Sequence, residues 1–352
     1  QANIYETDEL VDQFAFGIKK HPSSIRNFIR WARAKFSQSP KYIFLIGHAV
    51  VYSQYRSYES NPDVEKLNLV PTFGNPASDI LLSAEIGQQI PLTPIGRLSA
   101  INAQEIANYL VKIKQYENTQ QTPSPYIQDK AWMKNVVHAV GGNEPNLVAQ
   151  LSGYFNNYYR IISDTLFGAK VTTFKKSSAD AVQQLSSQLL ENLFSEGISM
   201  ITYFGHSSST VLDFNLDEPE SYSNQGKYPF FIAMGCLAGN FFNFNPARFI
   251  VRETLSEKLV FAHERGSIAF LASSHYGLPN YLDIYNTNTY WSMSKTHYGD
   301  SYGEILRESI IQMFNQTSQT NFISRFHTEQ NTLHGDPAIK PNTHLKPDYA
   351  VE

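Results

Sequence analysis

Six short, mainly apolar runs punctuate the chain, at residues 42–47 (YIFLIG), 136–140, 169–174, 198–204, 230–234 and 267–271. Each is four to eight residues long, and most are ended by glycine or a polar residue. Their hydrophobicity is continuous rather than alternating, which is the pattern of strands buried on both faces of a parallel sheet. Between them lie stretches with helical spacing. Residues 22–36 place Ile25, Phe28, Ile29 and Ala32 on one side, with Pro22 in the first turn. Residues 100–116 repeat the pattern with Ile101, Ile106, Leu110 and Ile113. Residues 179–194 do so with Val182, Leu185, Leu189 and Leu193, after Ser177 and Ser178 as capping residues. Strands alternating with helices predict an α/β fold with a mostly parallel sheet flanked by helices.

The polar, proline-containing stretch 118–129 (NTQQTPSPYIQD) predicts a boundary, giving units of residues 1–120 and 121–352. Residues 61–75 read as a surface loop. No repeat of 20–50 residues is visible, so solenoids and propellers are excluded. The 28 Lys and Arg against 32 Asp and Glu give a net charge of −4. No basic field exists to draw in nucleic acid. The most apolar stretch, 228–242, is broken by Pro229, glycines and Asn240, and is shorter than the roughly 18 residues of a membrane helix. Gln1 is followed by no leader pattern, so the chain reads as an excised piece of something longer.

Open parallel sheets place their active sites at the carboxyl ends of strands. Run 198–204 leads into Gly205-His206-Ser207, and run 230–234 into Gly235-Cys236. Taken singly, His206 fits an ordinary surface histidine, and Cys236, the single cysteine, fits a small buried hydrophobe. Thirty residues apart, they suit neighbouring parallel strands joined by one crossover. Imidazole and thiol on one sheet edge are what a cysteine nucleophile needs. The glycines are expected to let the backbone turn sharply, and the Ser207 and Cys236 amides to serve as oxyanion donors.

At these residues the sequence resembles the gingipain-type cysteine peptidases of the caspase-like clan. The resemblance rests on Gly205-His206, Gly235-Cys236 and residues 333–337 (LHGDP). It extends through residues 12–36 (DQFAFGIKKHPSSIRNFIRWARAKF), 42–47, 95–98 (IGRL), 113–117 (IKQYE), 134–142 (KNVVHAVGG) and 266–274 (GSIAFLASS). Several of these segments are nearer to the sortase branch of the type IX secretion system. That branch cleaves the C-terminal sorting domain from exported cargo and transfers the new carboxyl end to a cell-surface glycolipid. The resemblance implies two caspase-like α/β subdomains, with the catalytic Cys236 and His206 on the second. It also implies exported cargo and secretion-system components as partners, a location on the outer face of the outer membrane, and no required cofactor.

The sequence departs from the family at several points. Ser207 stands where the family has glycine after the histidine, and Val140 where a gingipain has a carboxylate near the Gly-Gly; the nearest acid is Glu144. Asn146, Leu147 and Leu151 occupy the region of the aspartate that holds a basic P1 side chain, so Arg or Lys specificity is not implied. Gly47-His48 replaces a Gly-Asp. These departures support an alternative, an inactive pseudo-peptidase that binds cargo or a secretion partner.

Asp79, in the turn 75–79, matches a recurrent family position and reads as a turn carboxylate or part of a substrate pocket. His275, Tyr276, Tyr281 and Tyr285 follow the run that ends near Ser274, where they line a pocket or cover a helix face. His138 reads as a buried histidine within a strand. The acidic turn 213–220 offers oxygen ligands for a structural Ca²⁺ but lacks the regular loop spacing. No zinc spacing, P-loop or dinucleotide fingerprint is present.

Overall fold

The computed structural model describes residues 2–343 except residue 179. All six apolar runs become strands: β1 (Ile43–Ile46), β3 (Asn135–Val140), β4 (Lys170–Lys175), β5 (Met200–Phe204), β6 (Phe230–Met234) and β7 (Ala269–Ser273). Two more, β2 (Ile95–Leu98) and β8 (Asn331–His334), complete one eight-stranded sheet in the order β1-β2-β8-β7-β6-β5-β3-β4. Every pairing is parallel except β7 with β8.

The expected division near residue 120 falls at the end of the helix Ala103–Gln121. The strands form two parallel blocks of opposite direction, β1-β2-β8 and β7-β6-β5-β3-β4, fused through the antiparallel β7/β8 pair into one sheet, with β8 crossing the division to join the strands that precede it. The fusion is built by residues 333–337. Gly335 donates its amide to the Arg97 carbonyl at 2.7 Å, and the Tyr109 hydroxyl accepts from the Asp336 amide while donating to the Ile268 carbonyl.

Two helical expectations are corrected. The helix expected at 179–194 forms only over Ser187–Glu196, capped by Ser186. Residue 179 lies outside the described residues. Residues 180–185 are instead held by other partners: Gln183 bridges to Phe214, and the Leu185 amide binds the Asn215 side chain. In the helix Ala103–Gln121, Ile106 and Leu110 are exposed, and the buried positions are Glu105, Tyr109, Lys112 and Tyr116. Their 4-3-4 spacing follows one helix face, and their polar ends find partners. Lys112 Nζ donates to the carbonyls of Leu259 and Val260, and Glu105 pairs with Arg248 at 2.8 Å. The aliphatic stems and rings bury well because the polar tips are satisfied.

The chain passes from β3 through the helix Pro145–Ile162 to β4 on one side, then returns to β5 on the other side of β3. The carboxyl ends of β3 and β5 therefore flank a topological switch point, where open α/β sheets leave a crevice. No helix among the described residues is long and apolar enough to cross a membrane.

Candidate active site

β5 and β6 pair in parallel with Phe204 opposite Met234, so Gly205-His206 and Gly235-Cys236 leave the sheet side by side. The two turns are tied together directly: the Ser207 hydroxyl donates to the Cys236 carbonyl at 2.9 Å. The glycines are required for a different reason from the one expected. Neither Gly205 nor Gly235 adopts a positive φ. A Cβ at Gly235 would overlap the Ser207 Oγ, and one at Gly205 would press on the Tyr203 hydroxyl and the Asp213 carboxylate. The left-handed residue is Leu237, at φ 62°, and its amide donates to the His275 carbonyl at 2.9 Å. A bulky side chain in that region is strained, and here the strain sits immediately after the cysteine.

Cys236 is partly exposed, with Sγ 4.0 Å from the Gly277 carbonyl oxygen. The His206 side chain is exposed, and its Nε2 stands 3.4 Å from Glu144 Oε2. That hydrogen bond is the main reason the Glu144 carboxyl ionises below its ordinary range. Among the described residues no hydrogen bond joins Sγ to the His206 ring, so the imidazole faces its carboxylate partner with the thiol on the adjoining turn. The Ser207 and Cys236 amides, expected as oxyanion donors, lie one on each of these two turns.

Asp213, read from the sequence only as part of an acidic turn, occupies the crevice between β3 and β5. Its Oδ2 accepts from the Gly142 amide at 2.8 Å and the His206 amide at 3.1 Å, and its Oδ1 lies 3.6 Å from Lys176 Nζ. Both charged side chains are nearly inaccessible. Tyr203, buried beneath, donates its hydroxyl to the His206 carbonyl and accepts from the Asp213 amide at 3.3 Å. Burial, then the Asp213 charge, hold that hydroxyl's pKa well above its usual value, so it remains a donor. The sequence carried one signal of this arrangement, the glycines that open both loops: a Cβ at Gly141 or Gly205 would collide with the same carboxylate.

The other candidates scatter. Asp79 is buried, and Arg97 binds both of its oxygens at 2.7 Å while Thr72 donates to one of them. His275 adjoins the nucleophile's turn through its carbonyl, and its ring packs against Tyr276 and Phe326. Tyr276 is largely exposed, Tyr281 stacks on His327, and Tyr285 is in the core. Leu151 is also core, whereas Leu147 packs partly buried beside Gly142. His138 is wholly buried, as expected. In the acidic turn Asp217 faces Lys258 at 3.8 Å and Glu220 faces Arg265 at 3.6 Å. Among the described residues no three His, Cys, Asp or Glu side chains converge as a metal site would require.

Comparison with known structures returns the same fold. The chain matches the crystal structure of the Arg-specific cysteine proteinase gingipain R (RGPB) with a TM-score of 0.68 at 14% identity, covering 94% of this chain and 70% of that one. It matches the complex of Porphyromonas gingivalis RgpB pro- and mature domains with a TM-score of 0.69 at 15% identity, covering 94% and 72%. A further protease structure gives 0.69 at 16% identity, covering 92% and 70%. No match is found among curated proteins. The model of Peptidase family C25 matches residues 1–342, nearly the whole sequence, and the chain belongs to that family.

Proposed function

We propose that this C25 member is a sortase-like cysteine peptidase that forms an acyl-enzyme on Cys236 and passes the acyl group to an amine. Sγ attacks the scissile carbonyl carbon, forming a C–S bond. The C–N bond then breaks, and His206 gives its proton to the leaving amine. Water or a glycan amine next attacks the thioester, releasing acid or amide and restoring the thiol. The observation that carries this reading is the juxtaposition of His206 and Cys236 at the ends of paired strands, linked through Ser207.

The finer role rests on the sequence segments that resemble the sortase branch. In it the substrate is the C-terminal sorting domain of exported cargo, the acceptor a surface glycolipid, and the location the outer face of the outer membrane. Uncharged P1 residues follow from the site's composition: Leu147 flanks the crevice, Asp213 faces Lys176, and Glu144 faces His206. Burying a cationic P1 side chain without a counter-charge costs several kcal/mol.

Incubation with a cargo C-terminal tail, followed by intact-mass spectrometry, tests the proposal. A thioester adduct that disappears in Cys236→Ala, with cleavage falling at least about 10⁴-fold, is the expected result. Neither adduct nor cleavage would favour the pseudo-peptidase alternative. Turnover of Arg or Lys substrates tenfold faster than uncharged ones would overturn the specificity.

A further inference from the structure

We infer that Asp213 is the positioning residue of the site: its one carboxylate fixes both His206 and the loop that carries Glu144. The inference rests on the cysteine-peptidase reading above and adds a residue that neither touches substrate nor reacts.

His206 needs a fixed position relative to two groups on separate turns. The thiol comes from the β6 turn and Glu144 from the β3 turn. The exposed contact with Glu144, at 3.4 Å, is too weak to hold the ring by itself. The backbone beneath is held far more firmly. The amide of His206 donates to Asp213 Oδ2, and its carbonyl accepts from the Tyr203 hydroxyl, so the residue is gripped at both ends. The same Oδ2 receives the amide of Gly142, two residues before Glu144. Hydrogen bonds to a buried charged acceptor are the stronger kind, roughly twice a neutral pair. A single oxygen thus sets the separation of the β3 and β5 turns, and with it the separation of Glu144 from His206.

Asp213 is itself over-determined. Its amide donates to Tyr203, its carbonyl accepts from Gln183 at 2.7 Å, and Lys176 supplies the counter-charge. Lys176 also donates to the Asn143 side chain and, at 3.1 Å, to the Ala181 carbonyl, bringing the end of β4 into the same cluster. The absence of side chains at Gly141 and Gly205 completes the fit, because the carboxylate fills the notch between them. A longer acid has no room there.

Asp213→Asn keeps the size but removes the charge that strengthens both amide bonds, and sets an NH2 group in place of the oxygen that faces Lys176 Nζ. On the purified protein, two readouts separate positioning from plain stability, both taken well below the variant's unfolding temperature. The first is peptide cleavage, where kcat should fall about thirty-fold or more with KM changed less than threefold. The second is alkylation of Cys236 by iodoacetamide against pH. Alkylation of the wild-type thiol should outpace that of the variant across the profile, because an imidazole held in place assists the thiol and one released from its place does not. Asp213→Glu should not rescue either readout.

If Asp213→Asn does not fold, Tyr203→Phe loosens the other end of the same grip without disturbing a charge. It should lower kcat about three- to tenfold in the same direction. Unchanged kcat and an unchanged alkylation profile in whichever of these variants folds would overturn the inference. A wild-type protein with neither cleavage nor alkylation faster than that of His206→Ala would instead overturn the peptidase reading on which it rests.

Discussion

Glu144 Oε2 lies 3.4 Å from His206 Nε2, the two side chains meeting in solvent across the turns that follow β3 and β5. A carboxylate on one ring nitrogen fixes the tautomer and orientation of an imidazole that shuttles protons to a thiol. In this chain the pair is open to water, and exposed ion pairs contribute little.

Glu144→Gln is accordingly expected to reduce kcat/KM by no more than about fivefold, in line with the weakness of exposed pairs. The pairing also has a pH signature. The Glu144 carboxyl is held below its ordinary 4.5, chiefly by the bond to His206. Its folded value is depressed, so the contact is complete above about 4.5 and is lost as pH falls through the lowered value. NMR titration should show this midpoint rising back towards 4.5 in His206→Ala. A midpoint that does not move would mean His206 is not its partner.

Ser207 supplies a second expectation. Its hydroxyl holds the carbonyl of the nucleophile's own residue at 2.9 Å, in the position where the resemblance led us to expect glycine. A neutral hydrogen bond contributes about 1 kcal/mol net. Ser207→Gly should therefore lower stability by about that amount, and turnover by up to about fivefold. Denaturant unfolding together with steady-state kinetics measures both. A variant faster than the wild type would show the serine to be an obstruction rather than a tie.

Asp79 and Arg97 are expected to matter for folding rather than for turnover. The ion pair is bidentate and buried, and Arg97 also donates to the carbonyls of Gly47 and Val70. Breaking such a pair leaves a buried charge uncompensated and costs about 3–5 kcal/mol. Arg97→Met should show that loss in chemical denaturation. Asp79→Asn, in the protein that remains folded, should keep kcat/KM within about threefold of the wild type. A larger kinetic effect, with KM rising alone, would put Asp79 in the substrate pocket.

How much of this was legible in the sequence follows from the physics of each element. Four of the six apolar runs became the central strands β3, β5, β6 and β7, buried on both faces, where hydrophobicity is continuous; β1 and β4 are the partly buried edges of the sheet. β2 and β8 escaped because each is four residues long and includes a buried polar residue, Arg97 and His334, whose partners are distant in sequence. The His334 ring, for example, accepts from the Ser99 amide at 3.1 Å. The same long-range pairing hid the buried face of Ala103–Gln121, where Lys112 and Glu105 look like surface residues until their acceptors and donors are in place. At the site, Gly205-His206 and Gly235-Cys236 were readable because strand ends announce themselves. Asp213 was not, since it works from a loop that folds back over the sheet edge and no local spacing marks it.

The last expectation concerns stability against acid. His138 sits within β3, wholly buried, its Nε2 2.9 Å from the Tyr290 hydroxyl. That hydroxyl donates to Thr202 Oγ1 at 2.7 Å, so it accepts from Nε2–H, and the ring is neutral with Nδ1 bare. Protonating Nδ1 would place a charged donor in the core without an acceptor. Burial accordingly lowers the His138 pKa to about 3, and burial likewise lowers that of His334 to about 3. The folded value is depressed below the ordinary 6.5, so the unfolded chain binds the extra proton. Stability is complete above about 6.5 and drains away as pH falls towards 3, at about 1.4 kcal/mol per pH unit for each such ring. His138→Leu removes one titrating group at similar volume. Urea unfolding measured between about pH 5.5 and 4 should then show a slope against pH smaller by about one proton's worth. An unchanged slope would mean that His138 already carries its proton in the folded protein.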